Sequence, residues 1–267
     1  MGPRQFGTPD GVARRGRHRG GYRRAAISVE RARSQATIDE SVKYGILVAQ
    51  MTAEVEKPLS EEAIRRALGD FQITLSDKQV YYIQRYIGIL RHWNEKLNLT
   101  AIRAPLEILH RHFCESMYAG VTVPINSGRL ADIGAGPGFP GLPLKILRPE
   151  LELFLVESSI KKGTFLAEVL RELGLANARV LISRYEELSE ELAPLDFVCS
   201  RAVGEFGPFL EWAASNRLSA GRVILWIGGQ DLDEARKSTH WEWQEPIPLP
   251  QSLRRYLLVG SRRGPST

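Results

Sequence analysis

The chain has 267 residues, of which 43% are hydrophobic and 25% are charged, a composition typical of a globular protein and unlike that of a fibrous or wholly disordered one. No run of about 18 apolar residues occurs, so we expect no membrane-spanning helix and no membrane partner. The two cysteines, Cys114 and Cys199, are too few for a disulfide framework and lack Cys-x-x-Cys zinc spacing. We therefore expect a cytoplasmic protein in a reducing compartment.

The net charge of +5 comes from the first 50 residues. These hold ten Lys and Arg against four Asp and Glu, which gives +6, whereas the other 217 residues hold 26 against 27, which gives −1. An RNA-binding surface on the folded part must then be a local patch. Residues 1–57 are predicted to be a basic, disordered extension, because their basic first part lacks apolar periodicity. Three interpretations of it stay open: an RNA-adhesive arm, an organelle-targeting leader, or residues upstream of a true start at Met51.

Helix signals begin near residue 58. Ser60 is followed by two glutamates, and an N-cap serine with acidic residues in the first turn is typical of a helix start. Ser76 and Gln79 have the spacing of a capping box, and the apolar residues after them recur every three or four positions, which predicts a long amphipathic helix. Pro105 predicts the start of another helix. We therefore predict N-terminal helices over 58–120 that pack on the domain that follows.

From residue 129 onward, short apolar segments alternate with helical ones. Strands are predicted at 129–133, 151–156, 179–182, 196–200 and 222–227, with helices such as 161–173 and 206–216 between them. Strands separated by helices form right-handed βαβ crossovers, so the sequence predicts an α/β fold with a parallel sheet. The segments 241–245 and 255–260 are predicted as strands that close one edge of this sheet.

The strongest chemical signal is a glycine-rich loop between the first predicted strand and the helix that follows it. Residues 130–141 read LADIGAGPGFPG, and Glu157 ends the next strand, 23 residues after Gly134. Glycines let a backbone turn sharply and approach a ligand closely, and a carboxylate after the second strand can accept hydrogen bonds from ribose hydroxyls. Phe139 occupies the place of the third glycine in a dinucleotide fingerprint, and no phosphate-binding Gly-x-x-x-x-Gly-Lys-Ser/Thr loop occurs.

The Gly-x-Gly-x-Gly pattern with an acidic residue after the second strand resembles the class I S-adenosylmethionine-dependent methyltransferases, and a plain tight turn is the alternative. The fourth predicted strand ends in Cys199-Ser200-Arg201, without the Pro-Pro-aromatic motif of exocyclic amine methyltransferases. Methylation of cytosine C5 needs a thiolate nucleophile. Cys199 lies within an apolar strand, where we expect an inert, buried thiol.

An ordered series of motifs carries a closer resemblance. The motifs are 98–102 (NLTAI), 111–116 (RHFCES), 132–143 (DIGAGPGFPGLP), 156–162 (VESSIKK) with 165–166 (FL), 183–187 (SRYEE), 200–202 (SRA) and 255–259 (RYLLV). The series resembles the RsmG (GidB) family, bacterial methyltransferases that act on N7 of one guanine in 16S small-subunit ribosomal RNA. The resemblance implies a Rossmann-like methyltransferase domain over 121–267, with a mostly parallel seven-stranded sheet and a helical extension before it.

The resemblance also implies S-adenosylmethionine as the cofactor, and small-subunit ribosomal RNA or a ribosomal particle as the partner. The implied cofactor-binding residues are Gly134, Gly136, Phe139, Glu157, Tyr185, Glu186 and Arg201. Candidates for contact with the RNA are Arg111, His112, Lys161, Lys162 and Arg201. Guanine N7 has a lone pair and no proton, so its attack on a sulfonium methyl group needs no general base. We therefore name no catalytic acid or base. We also expect that the protein binds no metal and is a monomer.

The sequence departs from the family's pattern at several positions. Glu157 and Glu115 stand where aspartate is usual, and Lys162 and Thr164 stand where arginine is usual. Ile227 replaces a lysine that commonly faces the site. The loss of two positive charges leaves two alternatives open. One is a methyltransferase of the same fold with a substrate other than ribosomal RNA, and the other is a catalytically weakened RNA-binding or assembly relative. Cofactor affinity separates the second alternative from an enzyme, and salt-dependent RNA binding tests the first.

Overall fold

The structure is a computed structural model that describes residues 58–188, 192–201, 204–215 and 219–263. The predictions made for residues 1–57, including a start at Met51, lie outside the described residues. Within the described ranges, no helix is long and apolar enough to cross a membrane.

The helical N-terminal region consists of α1 (Glu61–Gly69), α2 (Asp77–Leu97), α3 (Pro105–Ile108), a π-helical segment (Leu109–Cys114) and α4 (Glu115–Thr122). The Ser60 side chain caps α1 by accepting a hydrogen bond from the Ala63 amide, and Ser76 and Gln79 form the predicted capping box of α2. Asn98 ends α2 in the left-handed conformation, with φ of 48°. The predicted helical region before the sheet is confirmed.

The helix that begins at Pro105 contains a π-helical turn at Leu109–Cys114. The apolar spacing predicts an ordinary helix here, and the wider turn has no signal in the sequence. Short π-helical turns within α-helices often occur at functional sites. This one contains Arg111 and His112, both of which are half-buried.

The described residues form a sheet of eight strands: β1 (Gly128–Ile133), β2 (Leu151–Val156), β3 (Ala178–Leu181), β4 (Phe197–Ser200), β5 (Arg222–Gly228), β6 (Trp241–Trp243), β7 (Ile247–Pro248) and β8 (Arg255–Arg262). The strand order is β3-β2-β1-β4-β5-β8-β6, and β7 pairs with β8. The strands β1 to β5 are parallel, whereas β8 is antiparallel to its neighbours. The predicted mostly parallel seven-stranded sheet is confirmed, with the two-residue β7 in addition. The strand order reverses between β1 and β4, and α/β proteins bind ligands at the carboxyl ends of strands beside such a point.

The helices between the strands are α5 (Gly141–Leu147), α6 (Ile160–Leu173), α7 (Phe206–Ala214) and α8 (Leu232–Arg236). Most predicted bounds differ from these by one or two residues. The predicted strand 241–245 ends early, at Trp243, and the short β7 that follows was not predicted. Residue 216, at the predicted end of α7, lies outside the described residues.

The sheet has helices on both faces, and its strands alternate between two hydrophobic cores. Leu130, Leu153 and Ile224 belong to the core that includes residues of α1, α2, α5 and α6. Ala131 and Val223 belong to the core that includes residues of α7 and α8. Successive residues of a strand point to opposite faces, which explains the alternation. The N-terminal helices thus share a core with the sheet, and the predicted domain boundary at residue 120 stays a prediction.

Candidate active site

The glycine loop joins β1 to α5 at the carboxyl edge of the parallel strands. Gly134, Gly136 and Gly138 have φ values of +67°, +56° and +91°, a region that residues with side chains rarely adopt. Asp132 lies in β1 just before the loop, and its Oδ2 accepts a hydrogen bond from the Gly141 amide at 2.7 Å. Burial raises the pKa of Asp132 to about 7. The backbone itself therefore requires the glycines, and Asp132 holds the start of α5 against β1.

Glu157 lies directly after β2 and contacts the same loop. Its carboxylate oxygens accept hydrogen bonds from the Gly136 amide at 2.9 Å and from the Ser159 amide at 2.8 Å. Each carboxylate oxygen can accept a second hydrogen bond. Glu157 thus shapes the glycine loop and retains acceptor capacity for a ligand beside it.

The space beside the first two glycines is open. A Cβ atom added to Gly134 would meet no other part of the protein within 4 Å, and one added to Gly136 would meet the Gly134 carbonyl oxygen first, at 3.8 Å. An atom added to Gly138 would instead clash with Leu142 and Tyr86. Gly134 and Gly136 therefore permit the close approach of a ligand, whereas Gly138 is required for packing.

Phe139 lies between two other rings. It stacks on Tyr86 of α2, with ring centroids 5.4 Å apart, and on His112 of the π-helical segment, with centroids 4.5 Å apart. The Tyr86 hydroxyl donates a hydrogen bond to the Pro137 carbonyl oxygen. Phe139 is only 5% exposed, so its side chain connects the loop to the helical N-terminal region and does not line the open space.

Tyr86→Phe is expected to lower the free energy of unfolding by about 1 kcal/mol, because it removes the hydrogen bond to Pro137 and keeps the ring stack. Chemical denaturation measures the difference. Tyr118→Phe is the control, because the Tyr118 ring packs edge-on against Phe71 and its hydroxyl has no hydrogen-bond partner within the described ranges. Equal losses in the two variants would contradict this account of Tyr86.

His112 is held as an uncharged imidazole. Its Nε2 lies 3.0 Å from the Thr100 hydroxyl, and its Nδ1 is buried with no hydrogen-bond partner in the described part of the chain. Burial lowers the pKa of His112 to about 3, and the charges of Arg201 and Arg111 act in the same direction. At neutral pH this residue therefore contributes ring packing against Phe139 and no positive charge.

The depressed pKa of His112 predicts a loss of stability in acid. The unfolded chain protonates this residue below about pH 6.5, whereas the folded protein resists protonation until about pH 3. The contribution of the uncharged His112 to the free energy of unfolding is fully present above about pH 6.5. It declines as the pH falls from there to about pH 3, by at most about 1.4 kcal/mol per pH unit. Urea unfolding over this range should show a shallower decline for His112→Phe than for the wild type. Titration of the His112 ring above about pH 5 in an NMR experiment would contradict the prediction.

Glu115, the first residue of α4, is buried among three arginines. Its carboxylate pairs with Arg201 after β4 at 2.8 Å, with Arg255 of β8 at 2.6 Å and with Arg111 at 3.4 Å. The Trp226 indole of β5 donates a hydrogen bond to the Glu115 carbonyl oxygen at 2.7 Å. We call Glu115, Arg111, Arg201 and Arg255 the charge cluster. A single carboxylate thus joins the helical region to β4 and β8 at the carboxyl edge of the parallel strands.

Tyr185 and Glu186 lie in a single 3-10 turn, Tyr185–Glu187, after β3. The Tyr185 ring packs edge-on against Trp212 of α7, with centroids 4.8 Å apart, and is half-buried, whereas Glu186 is exposed. Burial raises the pKa of the Tyr185 hydroxyl, and the charge of Glu186 adds to this. The turn therefore presents one aromatic ring and one carboxylate next to the end of β3.

The family model described as rRNA small subunit methyltransferase G (GidB) matches residues 79–245 of the sequence. The matched range contains most of α2, the glycine loop, Glu157 and most of the charge cluster. This chain belongs to the GidB family.

Three relatives illustrate the extent of the similarity, and each is named ribosomal RNA small subunit methyltransferase G. The protein of Lactococcus lactis subsp. cremoris (strain SK11) is 38% identical over 183 residues, which cover 64% of this chain and 76% of the relative. That of Xanthomonas axonopodis pv. citri (strain 306) is 49% identical over 166 residues, covering 62% and 77%. That of Roseiflexus sp. (strain RS-1) is 37% identical over 205 residues, covering 73% and 88%.

The implied cofactor residues lie in groups along one edge of the sheet. Gly134, Gly136 and Phe139 follow β1, Glu157 follows β2, Tyr185 and Glu186 follow β3, and Arg201 follows β4. The Gly136 amide donates a hydrogen bond to the Glu157 carboxylate, and Gly134 lies two residues before Gly136 in the same loop. Arg201 pairs instead with Glu115. Binding of S-adenosylmethionine by these residues stays a prediction for this GidB protein.

The candidates for RNA contact separate into two places. Arg111, His112 and Arg201 come together at the charge cluster. Lys161 and Lys162 lie in the first turn of α6, after β2, where Lys161 is exposed and Lys162 is half-buried. The sequence treats these five residues as one rim, whereas the structure places the two lysines on the β2 side of the glycine loop and the charge cluster on the β4 side.

Sequence reasoning missed the roles of Tyr86, Glu115, Trp226 and Arg255. Glu115 and Arg255 belong to motifs that the sequence analysis identified. The ion pair between them joins positions 140 residues apart, so no local pattern in the sequence predicts it. Tyr86 lies on the apolar face of α2, where an aromatic residue looks like any other core residue. Its hydroxyl is the one available signal, because a buried hydroxyl needs a hydrogen-bond partner.

Proposed function

We propose that this chain transfers the methyl group of S-adenosylmethionine to N7 of a guanine in 16S small-subunit ribosomal RNA. Membership of the GidB family supports the small-subunit ribosomal RNA as the substrate class. The observation that carries the choice of N7 is the state of four titratable groups near the glycine loop, each of which is held by a partner within the protein.

The four groups are Asp132, Glu157, Glu115 and His112. Asp132 and Glu157 accept hydrogen bonds from backbone amides, and Glu115 is paired with arginines. His112 is next to the Thr100 hydroxyl and stacks on Phe139. A general base must reach the proton that it removes. Asp132 Oδ1 and His112 Nδ1 have no hydrogen-bond partner in the described part of the chain, but both atoms are buried, and the side chains of Glu115 and Glu157 are almost fully buried. Guanine N7 has no proton to remove, so catalysis at this atom needs alignment of donor and acceptor alone.

The residues around the glycine loop fit S-adenosylmethionine. The open space beside Gly134 and Gly136 allows close approach, and the spare acceptor capacity of Glu157 suits ribose hydroxyls. When bound, the cofactor provides an electrophilic methyl group on a sulfonium. Glu157 would hold the ribose, and Tyr185 and Glu186 would lie next to the adenine.

The two positions that lack a positive charge make their contacts away from the glycine loop. Thr164 is exposed on α6, where its hydroxyl donates to the Ile160 carbonyl oxygen, and Ile227 packs in the core shared with α7. The arginines of the charge cluster provide positive charge at the same edge of the sheet. We propose ribosomal RNA or a ribosomal particle as the partner and the cytoplasm as the place of reaction, which suits the free, buried cysteines Cys114 and Cys199.

A mass-spectrometric nucleoside map of small-subunit ribosomal RNA, from cells with and without the gene, tests the proposed function. One 7-methylguanosine should be absent without the gene and should return with the wild type. Arg201→Ala should restore it poorly, whereas Arg171→Ala, at an exposed position of α6, should restore it fully. An unchanged map would overturn ribosomal RNA as the substrate, and the loss of a different modified nucleoside would overturn N7 as the acceptor atom.

A further inference from the structure

A cavity of about 370 Å³ opens beside the charge cluster, at the ends of β4, β5 and β8. Its wall includes Arg111, Glu115, Arg201, Trp226, Arg254 and Arg255. Cavities of about 300–1,000 Å³ are typical of small-ligand sites. The lining contains no residue of the glycine loop, and neither Glu157 nor Tyr185 takes part in it. Of the implied cofactor-binding residues, Arg201 alone lines the cavity, which therefore lies beside the space next to the glycine loop.

The charges that line the cavity are strongly unbalanced. The four arginines carry four positive charges against one negative charge on Glu115, a net charge of +3. Residues 51–267 carry a net charge of −1, so the cavity is a local concentration of positive charge. A cleft lined by one sign of charge attracts ions of the opposite sign.

Two of these arginines have donors that the protein does not use. Arg201 Nη1 and Arg111 Nε are buried and have no hydrogen-bond partner among the described residues. Arg201 pairs with Glu115 through its other terminal nitrogen, and Arg111 Nε lies 3.4 Å from the same carboxylate without forming a hydrogen bond. A buried donor without a partner costs free energy, and an anion with several oxygens would provide the missing acceptors.

We propose that this cavity is a phosphate subsite, in which Arg201, Arg254 and Arg255 hold a backbone phosphate of the RNA next to the target nucleotide. The proposal rests on the proposed function, because the ligand is part of the RNA substrate. Guanidinium groups bind phosphate oxygens in a bidentate manner. Contacts with phosphates set the position of a nucleic acid without reading its sequence.

The position of the cavity in the sheet favours RNA over the cofactor as the source of the anion. The carboxylate of a bound methionine group is the other anion that these arginines could attract. Three strand spacings separate β1 from β8, about 14 Å in all. Arg255 of β8 and the neighbouring Arg254 are thus remote from the glycine loop after β1, so the cofactor and a nearby RNA phosphate can be bound together.

Arg254→Gln tests the proposal. Arg254 is exposed at the rim, and its side chain has no ion-pair partner within the described ranges, so its removal leaves Glu115 fully paired. Binding of the full chain to small-subunit particles that lack the modification is measured across a salt series. The variant should bind about tenfold more weakly at low salt, and the slope of log K against log salt should fall by about 0.7, the value for one lost contact with single-stranded RNA. Affinity for S-adenosylmethionine should stay within about twofold of the wild type.

Arg171→Gln is the matched control, because it makes the same change of charge at a side chain that is 70% exposed. Arg171 lies at the end of α6, and a crossover helix runs antiparallel to the strands, so this residue is at the opposite edge of the sheet. The control should keep both the affinity and the salt slope of the wild type.

Equal salt slopes for the wild type and Arg254→Gln would overturn the proposal. An unchanged slope with weaker binding of S-adenosylmethionine would overturn it in favour of the cofactor carboxylate. Calorimetry with inorganic pyrophosphate tests the phosphate subsite independently of the proposed function, because it needs no RNA substrate. Even if ribosomal particles are not the substrate, the wild type should bind pyrophosphate and Arg254→Gln should bind it several-fold more weakly. If the wild type methylates the RNA but binds no pyrophosphate, and if its salt slope equals that of Arg254→Gln, the subsite is excluded and the proposed function still holds.

Discussion

Gly136→Val is expected to lower the rate of methyl transfer by about 100-fold, which corresponds to about 2.7 kcal/mol of transition-state stabilisation. Two effects act together. The backbone at Gly136 has φ of +56°, which strains any residue with a branched side chain, and its amide donates to Glu157. The valine side chain also enters the open space beside the loop, where a ligand must approach. Calorimetry with S-adenosylmethionine and initial rates on small-subunit particles measure the loss.

Gly174→Val separates the effect on the site from the effect on the backbone. Gly174 is the C-cap of α6, has φ of +57°, and also has open space beside it. Both variants should lose stability by about 1–2 kcal/mol, because both force a side chain into the left-handed region. Only the Gly136 variant should lose cofactor affinity. Equal losses of activity in both variants would show that strain alone accounts for the result.

Glu115→Gln is expected to lower the free energy of unfolding by about 3–5 kcal/mol. The Glu115 side chain is 2% exposed, and its carboxylate pairs with three guanidinium groups. An amide of similar shape fills the same space but leaves the three arginine charges without their shared counter-charge. The loss should exceed that of any exposed ion pair, such as Arg66 with Glu62, where about 0–1 kcal/mol is expected. Chemical denaturation of wild type and variant measures the effect.

Glu115→Asp is the matched variant, because it keeps the charge and shortens the side chain by one methylene group. It should lose less than half as much stability as Glu115→Gln, since the shorter side chain weakens the geometry of the ion pairs but retains the charge balance. If Glu115→Gln were as stable as the wild type, the three arginines would have to be neutralised by another group.

The order of strands and helices could be predicted because it rests on local patterns. Residues 153–156 (LFLV) form an uninterrupted apolar segment, which is typical of a strand buried on both faces, and the structure has β2 at Leu151–Val156. Ser76 and Gln79 predicted the start of α2 because a capping box is satisfied by residues three positions apart. Cys199 is buried, as its apolar surroundings predicted. The glycines at 134, 136 and 138 also reflect a local requirement, since each adopts a positive φ.

The arrangement around the charge cluster could not be predicted, because it depends on contacts between distant parts of the chain. Arg201 was predicted to lie at the end of a central strand, which is correct, but its pairing with Glu115 depends on how the N-terminal helices pack on the sheet. The role of Phe139 as the middle ring of a stack has the same origin. The charge of His112 also follows from burial, which no pattern within residues 111–116 reveals.

The stack of Tyr86, Phe139 and His112 connects the glycine loop to the helix segment that carries part of the charge cluster. Phe139 belongs to the loop, and His112 is the chain neighbour of Arg111, which pairs with Glu115. If a ligand at the loop restricted the π-helical segment through this stack, a second ligand at the arginines would have less conformational freedom left to remove. Such cooperativity is reciprocal. The factor by which the methyl donor strengthens RNA binding must equal the factor by which RNA strengthens binding of the methyl donor, whichever of the two arrives first.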